Sequence, residues 1–235
     1  MRIKQAIVLV CFYISIWYFL FFQEKNSATG IIMGIQKTYG KEISILGLGK
    51  WFLLVLPPIL ICELYMRNQI KISIFTLLRC RSFRRWWMLR IGMLIMNTFL
   101  YTLIGMAVYQ KKILVLDIQA ILAIFMLLFL HILFLQVCVC YFNLYVHNAV
   151  QPVLFVVLLE GASYIMSVVW NDVTPYLPGI WGMYYRSNEV IIEYGFTISI
   201  TLVIQIILII MIAVFGFCIN KNMVTSRLSL WEEAG

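Results

Sequence analysis

The chain has 235 residues, of which 63% are hydrophobic and 12% are charged. Soluble domains are typically about 45–50% apolar and about 25% charged, so this composition excludes an ordinary soluble enzyme, and it excludes a disordered chain because disorder requires few apolar residues. We interpret the net charge of +8 as the anchoring charge of a multi-span membrane protein rather than as a nucleic-acid-binding surface.

Six apolar stretches predict six transmembrane helices, since a spanning helix takes roughly 20 apolar residues. The first is interpreted as an uncleaved span, because it is longer than a signal-peptide core and no A-x-A-like site follows it. The second contains Pro57 and Pro58, which are tolerated in a bilayer only where neighbours satisfy the carbonyls that the prolines leave unpaired. It reaches full length only if it extends back towards Ile43, with Lys50 snorkelling. The predicted spans cover residues 6–22, 51–66, 91–108, 118–144, 150–170 and 196–219.

These spans predict an all-α integral membrane protein that forms a single transmembrane domain over residues 1–235. With the N-terminus inside, the inner segments hold eleven of the 18 lysines and arginines and the outer segments hold seven. The bias lies mostly in the basic segment 67–90. Because cytoplasmic loops retain positive charge, we predict that both termini are cytoplasmic in a cell membrane, as in a bacterial plasma membrane, and that residues 171–195 form an outer loop.

The most informative part of the basic segment is residues 76–90, which read TLLRCRSFRRWWMLR. This mixture of arginine, leucine and tryptophan predicts a helix that lies at the membrane interface. One interpretation is a positive-inside anchor and nothing more. The other is a docking helix for a cytosolic partner, because arginine binds carboxylates bidentately and tryptophan fills pockets. The candidate docking residues are Arg79, Arg81, Arg84, Arg85, Trp86 and Trp87.

The six-span plan resembles the permease subunits of type-2 ABC transporters, in the exporter branch. In that family the loop between spans two and three carries a coupling helix, and the Leu-Leu-Arg turn followed by Ser, Arg-Arg and Trp-Trp is similar to it. The stretch from Pro175 to Ser187 is similar to the Pro-containing outer segment that family members carry between spans five and six. Among these permeases, the chain is most similar to the small ones of peptide or bacteriocin export and immunity systems.

The resemblance implies a permease that moves an amphipathic substrate, a peptide or a lipid, by alternating access. It implies a cytosolic ABC ATPase as partner, with ATP and Mg bound on that subunit and no cofactor in this chain, and a second permease subunit of the same or a different sequence. Membrane lipid is the remaining expected partner, and nucleic acid is not one. The sequence around Lys50 is the nearest match to a phosphate loop, and it fails because Ser44 and Trp51 occupy required positions of GxxxxGK[ST].

Two polar residues lie near the middle of predicted spans. Glu160 is in span five and His131 is in span four, and the hairpin formed by these spans places the two side chains at similar depth. Intramembrane carboxylates usually face the bundle interior or a water path, which makes the pair a candidate for the translocation path. The alternative is a helix-packing hydrogen bond. No metal site and no catalytic residue are predicted.

Two other functions remain open at this point. A six-span substrate-capture subunit of a small-molecule importer would hold its ligand in the outer loops and would not need a basic inner loop. An intramembrane enzyme would use Glu160 and His131 without any ATPase. We favour the permease, in which ATP hydrolysis belongs to a partner chain and this chain is not itself an enzyme.

Overall fold

The computed structural model describes residues 3–23, 30–35, 43–79, 83–113, 115–143, 146 and 150–218; of these, residues 3–6, 65–79, 83, 112, 217 and 218 are described by their backbone alone. This part of the chain is helical, apart from short turns and one isolated bridge between Ser187 and Phe196. The helices are α1 (Ile3–Gln23), α2 (Ile45–Arg79), α3 (Phe83–Val108), α4 (Gln110–Ile113), α5 (Ile118–Phe142), α6 (Val150–Val169) and α7 (Ile198–Cys218).

Five of the helices are long and apolar enough to cross a membrane. These stretches are Ile45–Leu64, Arg84–Val108, Ile118–Phe142, Val150–Val169 and Ile198–Gly216. They confirm an all-helical chain with the composition of a multi-pass membrane protein. The first predicted span corresponds to α1, whose apolar stretch Ile7–Gln23 is shorter than the other five.

The basic segment does not form a separate helix between spans two and three. Helix α2 has 35 residues, of which Ile45–Leu64 form the apolar span, and it continues without a break to Arg79. The physical reason is that residues 66–79 contain no glycine or proline, so nothing in the sequence ends the helix. At 1.5 Å per residue, the turns after Leu64 extend α2 by roughly 20 Å. The remainder of the predicted coupling segment, from Phe83, is the first part of α3.

Helix α5 is the centre of the bundle. Inside the structure, 67% of its span is buried, compared with 11% of the α7 span. Every side chain from Leu130 to Cys140 is buried. Helices α2, α3, α6 and α7 all pack against α5, so a polar side chain on α5 points at a neighbouring helix rather than at lipid.

Pro58 of α2 is accommodated as the sequence requires. In an unbroken α-helix the amide of residue 58 would donate to the carbonyl of Leu54, and Pro58 has no N–H. The hydroxyl of Tyr101 on α3 donates a hydrogen bond of 2.7 Å to that Leu54 carbonyl. Because both groups are buried, α3 supplies the hydrogen bond that α2 lacks.

Candidate functional site

A buried polar contact in the described part of the bundle joins three helices. His131 Nε2 on α5 lies 3.0 Å from Glu160 Oε1 on α6. The indole nitrogen of Trp51 on α2 donates a hydrogen bond of 2.7 Å to Glu160 Oε2. All three side chains are fully buried. We refer to Trp51, His131 and Glu160 as the carboxylate centre.

Local sequence patterns place each member of the carboxylate centre on an inward face. The buried positions of α6 include Pro152, Val156 and Glu160, which recur at the four-residue spacing of one helix face. His131 belongs to the fully buried stretch of α5. Trp51 shares the buried face of α2 with Leu54 and other core residues, so three ordinary helix faces converge on one carboxylate.

The contacts of Glu160 offset part of the cost of burying a carboxylate. On insertion scales a charged residue at the centre of a span costs roughly 2.5–3.5 kcal/mol, and such residues pair with polar partners inside the bundle. Glu160 Oε2 accepts the indole N–H of Trp51, and Oε1 lies within ion-pair distance of His131 Nε2 without the geometry of a hydrogen bond. The other imidazole nitrogen, His131 Nδ1, has no hydrogen-bond partner among the described residues. The carboxylate centre therefore leaves hydrogen-bonding capacity on both His131 and Glu160 for a further polar group.

The predicted outer segment packs directly on the carboxylate centre. Residues 170–197, which we call the cap, contain three short 3₁₀ turns at Asn171–Tyr176, Pro178–Ile180 and Tyr184–Arg186. Gly182 lies on the His131 ring, so close that an added Cβ would be 2.6 Å from the ring carbon Cδ2. The amide of Gly179 donates to Ser163 Oγ on α6 at 3.2 Å. Two glycines thus bring the cap backbone into contact with α5 and α6.

The cap also buries a cation. Arg186 is 1% exposed, and its guanidinium carbon lies 5.4 Å from the centre of the Tyr164 ring. A hydrogen bond joins the two side chains, while burial lowers the pKa of the arginine. An arginine stays charged in spite of such a shift. The sequence predicts only an outer-loop charge at Arg186, and no pattern in it marks this residue as buried.

The candidate docking residues separate into exposed and buried groups. Arg84 and Arg85 are exposed at the start of α3, whereas Trp86 and Trp87 are buried. The Trp87 indole donates a hydrogen bond of 2.8 Å to the Ala213 carbonyl on α7, so this tryptophan holds α3 against α7. Of the other two candidates, Arg79 is the last residue of α2 and is described by its backbone alone, and Arg81 lies outside the described residues.

We refer to the end of the bundle where α2 ends and α3 begins as the basic end; the cap is at the opposite end. A second polar cluster lies near the basic end. The Asn143 side-chain amide, at the end of α5, donates a hydrogen bond to the Glu63 carboxylate on α2. Glu63 and Arg90 are both about 5% exposed. The Glu63 carboxylate of α2 therefore has a hydrogen-bond partner at the end of the central helix.

Trp51 is not among the site residues that the sequence predicts, because it stands at the start of the predicted second span, residues 51–66. The signal was present in the possible extension of span two: once α2 begins at Ile45, Trp51 lies roughly 9 Å along the helix, at 1.5 Å per residue, instead of at its start.

Comparisons of the chain with models of known protein families, with curated proteins and with solved structures found no match.

Proposed function

We propose that the chain is the membrane-spanning permease subunit of an ATP-driven ABC exporter. The observation that carries the proposal is the exposed pair Arg84–Arg85 at the basic end, beside a helix that continues roughly 20 Å past its apolar span at 1.5 Å per residue. Two arginines on a fixed helix start suit a surface that binds acidic groups of a cytosolic partner. A lipid anchor alone does not require the extension of α2.

The contacts of α3 indicate how a movement of the basic end would be transmitted to the rest of the bundle. Trp87 follows the arginine pair and is hydrogen-bonded to the Ala213 carbonyl near the end of α7. Gly216, also on α7, lies against the Trp87 ring. An ATPase that binds Arg84 and Arg85 and closes on ATP would move the start of α3 and the end of α7 together. That is the coupling that alternating access needs, provided that the bundle has two stable arrangements.

The carboxylate centre is the proposed polar element of the translocation path. Buried groups with unpaired atoms follow the central helix from it: His131 Nδ1 and, further along α5, Gln136 Nε2 have no hydrogen-bond partner among the described residues. Buried polar groups are nearly always satisfied by protein or water, so these atoms favour water or substrate between α5 and its neighbours.

The remaining parts of the proposal rest on the distribution of lysine and arginine along the chain and on the resemblance to type-2 ABC permeases. The basic end faces the cytosol, and both termini lie on that side of a cell membrane. A second permease chain, identical or different, completes the path, and ATP and Mg bind on the ATPase subunits. The substrate is amphipathic, a peptide or a lipid, since Glu160 is the sole acid of its helix span and a path with so few charges suits such molecules.

Co-purification tests the docking claim. The tagged full-length chain is isolated from its native membrane, and a subunit with a GxxxxGK[ST] motif is identified and quantified by mass spectrometry. Arg84→Gln with Arg85→Gln should lower its recovery about tenfold, which corresponds to about 1.4 kcal/mol of binding free energy. Lys111→Glu is the control, because it changes the net charge equally at an exposed position near the opposite end of α3.

Two results would overturn the proposal. One is the absence of any such ATPase from preparations of the unaltered chain. The other is equal recovery of the ATPase with the arginine variant and with the Lys111 control, which would return the arginine pair to a lipid-anchoring role.

A further inference from the structure

Arg186 is a buried cation without a counter-ion in the described structure. Its guanidinium packs on the Tyr164 ring and is 1% exposed. Within the described ranges no carboxylate forms an ion pair with it. The cap has three acidic residues, Asp172, Glu189 and Glu193, and all of them are exposed.

Burying Arg186 without an anionic partner is energetically unfavourable. Buried charges in proteins are paired or hydrogen-bonded, because an isolated ion pays a large desolvation penalty. The phenol of Tyr164 offers Arg186 one neutral partner and also accepts a hydrogen bond of 3.1 Å from the Ser44 amide. Arg186 Nε has no hydrogen-bond partner among the described residues. An anion at this position would neutralise the guanidinium charge and accept the unused hydrogen bond of Nε.

Neighbouring groups narrow the chemistry of that anion. The buried hydroxyl of Ser187 and the side-chain oxygen of Asn188 are also without hydrogen-bond partners in the described part of the chain. The three adjacent residues thus leave an N–H donor, a hydroxyl and a carbonyl acceptor unpaired. A phosphate bonded to a group that carries its own donor, such as a glycerol or an ethanolamine, offers a partner of the right kind to each of these three groups.

The depth of the site fits a lipid headgroup. Tyr164 lies five residues before the end of α6, which is roughly 8 Å along the helix at 1.5 Å per residue. Trp170 and Tyr176, both exposed, mark that end of the bundle as a membrane–water interface, where such aromatics concentrate. Arginine is the side chain best suited to bind phosphate there, because its planar fork forms two parallel hydrogen bonds.

We propose that Arg186, with Tyr164, forms a phosphate-binding site under the cap, and that it takes the headgroup of a membrane phospholipid. This site is separate from the proposed transport function: it would exist in a permease, in a capture subunit or in an enzyme. Bound phospholipid would fix the cap on α6.

The test uses the full-length chain purified in detergent and exchanged into a galactolipid, which has no phosphate. Phosphatidylglycerol, inorganic phosphate or more galactolipid is then added, and the melting temperature is recorded. Phosphatidylglycerol should raise Tm by roughly 5 °C over galactolipid, the size expected of a saturating ligand. Arg186→Gln should remove this difference, whereas Arg85→Gln, which removes an exposed arginine at the basic end, should retain it.

Further measurements cover the case in which Arg186→Gln does not fold and distinguish the possible sources of the phosphate. If Arg186→Gln does not fold, Arg186→Lys retains the charge without the fork and should show a reduced shift. Chemical phosphorus analysis of the unaltered chain before galactolipid exchange should find phosphate retained in stoichiometric amount. A shift with inorganic phosphate equal to that with phosphatidylglycerol would support the phosphate site and contradict the lipid as its source.

Three outcomes would overturn the proposal. They are an equal shift with galactolipid and phosphatidylglycerol, an unchanged shift in Arg186→Gln, and a shift that appears only in Glu42→Gln. The last would mean that the chain's own Glu42, which is outside the described residues and two positions before Ser44, is the counter-ion of Arg186.

Discussion

The Tyr101 hydroxyl donates a hydrogen bond of 2.7 Å to the carbonyl of Leu54, the group that Pro58 leaves without its helical donor. Pro58 in α2 is therefore tied to a specific residue on α3. Tyr101 also accepts, through its own backbone carbonyl, a hydrogen bond of 3.1 Å from the Trp17 indole. One residue of α3 thus links α1 and α2 in the apolar part of the bundle.

The hydrogen bond between Tyr101 and Leu54 predicts that the effect of Tyr101→Phe depends on whether residue 58 is a proline. The substitution should lower the free energy of unfolding by about 1–3 kcal/mol, because it leaves the buried Leu54 carbonyl unsatisfied. In a Pro58→Ala background the amide of residue 58 is restored, and the same substitution should cost much less. Denaturant titration of the micelle-bound chain measures both.

Pro57→Ala is the matched background, since the amide that it restores would serve the carbonyl of Leu53 instead. Tyr101→Phe should keep its full cost there. An equal cost in the Pro58→Ala and Pro57→Ala backgrounds would contradict the assignment of the hydroxyl to the proline-freed carbonyl.

The carboxylate centre predicts different costs for two similar tryptophan substitutions. Trp51 donates to a carboxylate and Trp17 donates to a backbone carbonyl, and both rings are fully buried. Hydrogen bonds to charged groups contribute about 1.5–3 kcal/mol, compared with about 0.5–1.5 kcal/mol for neutral ones. Trp51→Phe should therefore destabilise the bundle more than Trp17→Phe in the same unfolding assay. Equal losses would contradict the assignment of Trp51 as the hydrogen-bond donor to Glu160.

Much of the fold could be predicted from the sequence because a spanning helix is a local property of its own residues. The apolar runs behind α3, α5, α6 and α7 are visible without any tertiary contact. The sequence does not predict the continuation of α2 to Arg79, because the predicted second span ends at residue 66 and the basic residues after it are assigned to a separate cytoplasmic segment. Charge alone does not end a helix, and the residues concerned include no breaker.

The site could be predicted only in part. The meeting of His131 and Glu160 followed from a hairpin that fixes the depth of both, and their 3.0 Å separation confirms the contact. Trp51 and Arg186 depend on how α2 rotates and how the cap folds back, and both are set by distant contacts. For the same reason Trp87 was expected at the headgroup boundary and is instead buried against α7.

A substitution at Glu160 separates a role in transport from one in packing. Glu160→Gln retains an acceptor for the Trp51 indole and nearly the same volume, while it removes the carboxylate charge. If the carboxylate centre lies on the path, transport-coupled ATP hydrolysis should change by about tenfold, a barrier change of about 1.4 kcal/mol. Glu189→Gln, at an exposed position of the cap, is the control. Unchanged rates in Glu160→Gln would assign the residue to helix packing.

The contact between the cap and α5 predicts opposite effects of two glycine substitutions. A Cβ at Gly182 would meet the His131 ring, whereas nothing lies within 4 Å of one at Gly92. Gly182→Ala should destabilise the chain by about 1–3 kcal/mol, as overpacking does. Gly92→Ala, in an exposed part of α3, should stabilise it by about 0.5–1 kcal/mol through helix propensity. Protease sensitivity of the cap should rise only in the Gly182 variant, and a resistant cap there would contradict the close contact.

Measuring which side of the membrane the basic end faces tests the proposed function most directly. In a background without native cysteines, Arg85→Cys and Glu193→Cys place single thiols at exposed positions of the basic end and of the cap. A membrane-impermeant maleimide applied to intact cells should label the thiol at position 193, and should label the one at position 85 only after permeabilisation. Labelling of position 85 from outside intact cells would contradict the cytosolic location of the arginine pair, and with it the proposed docking of an ATPase.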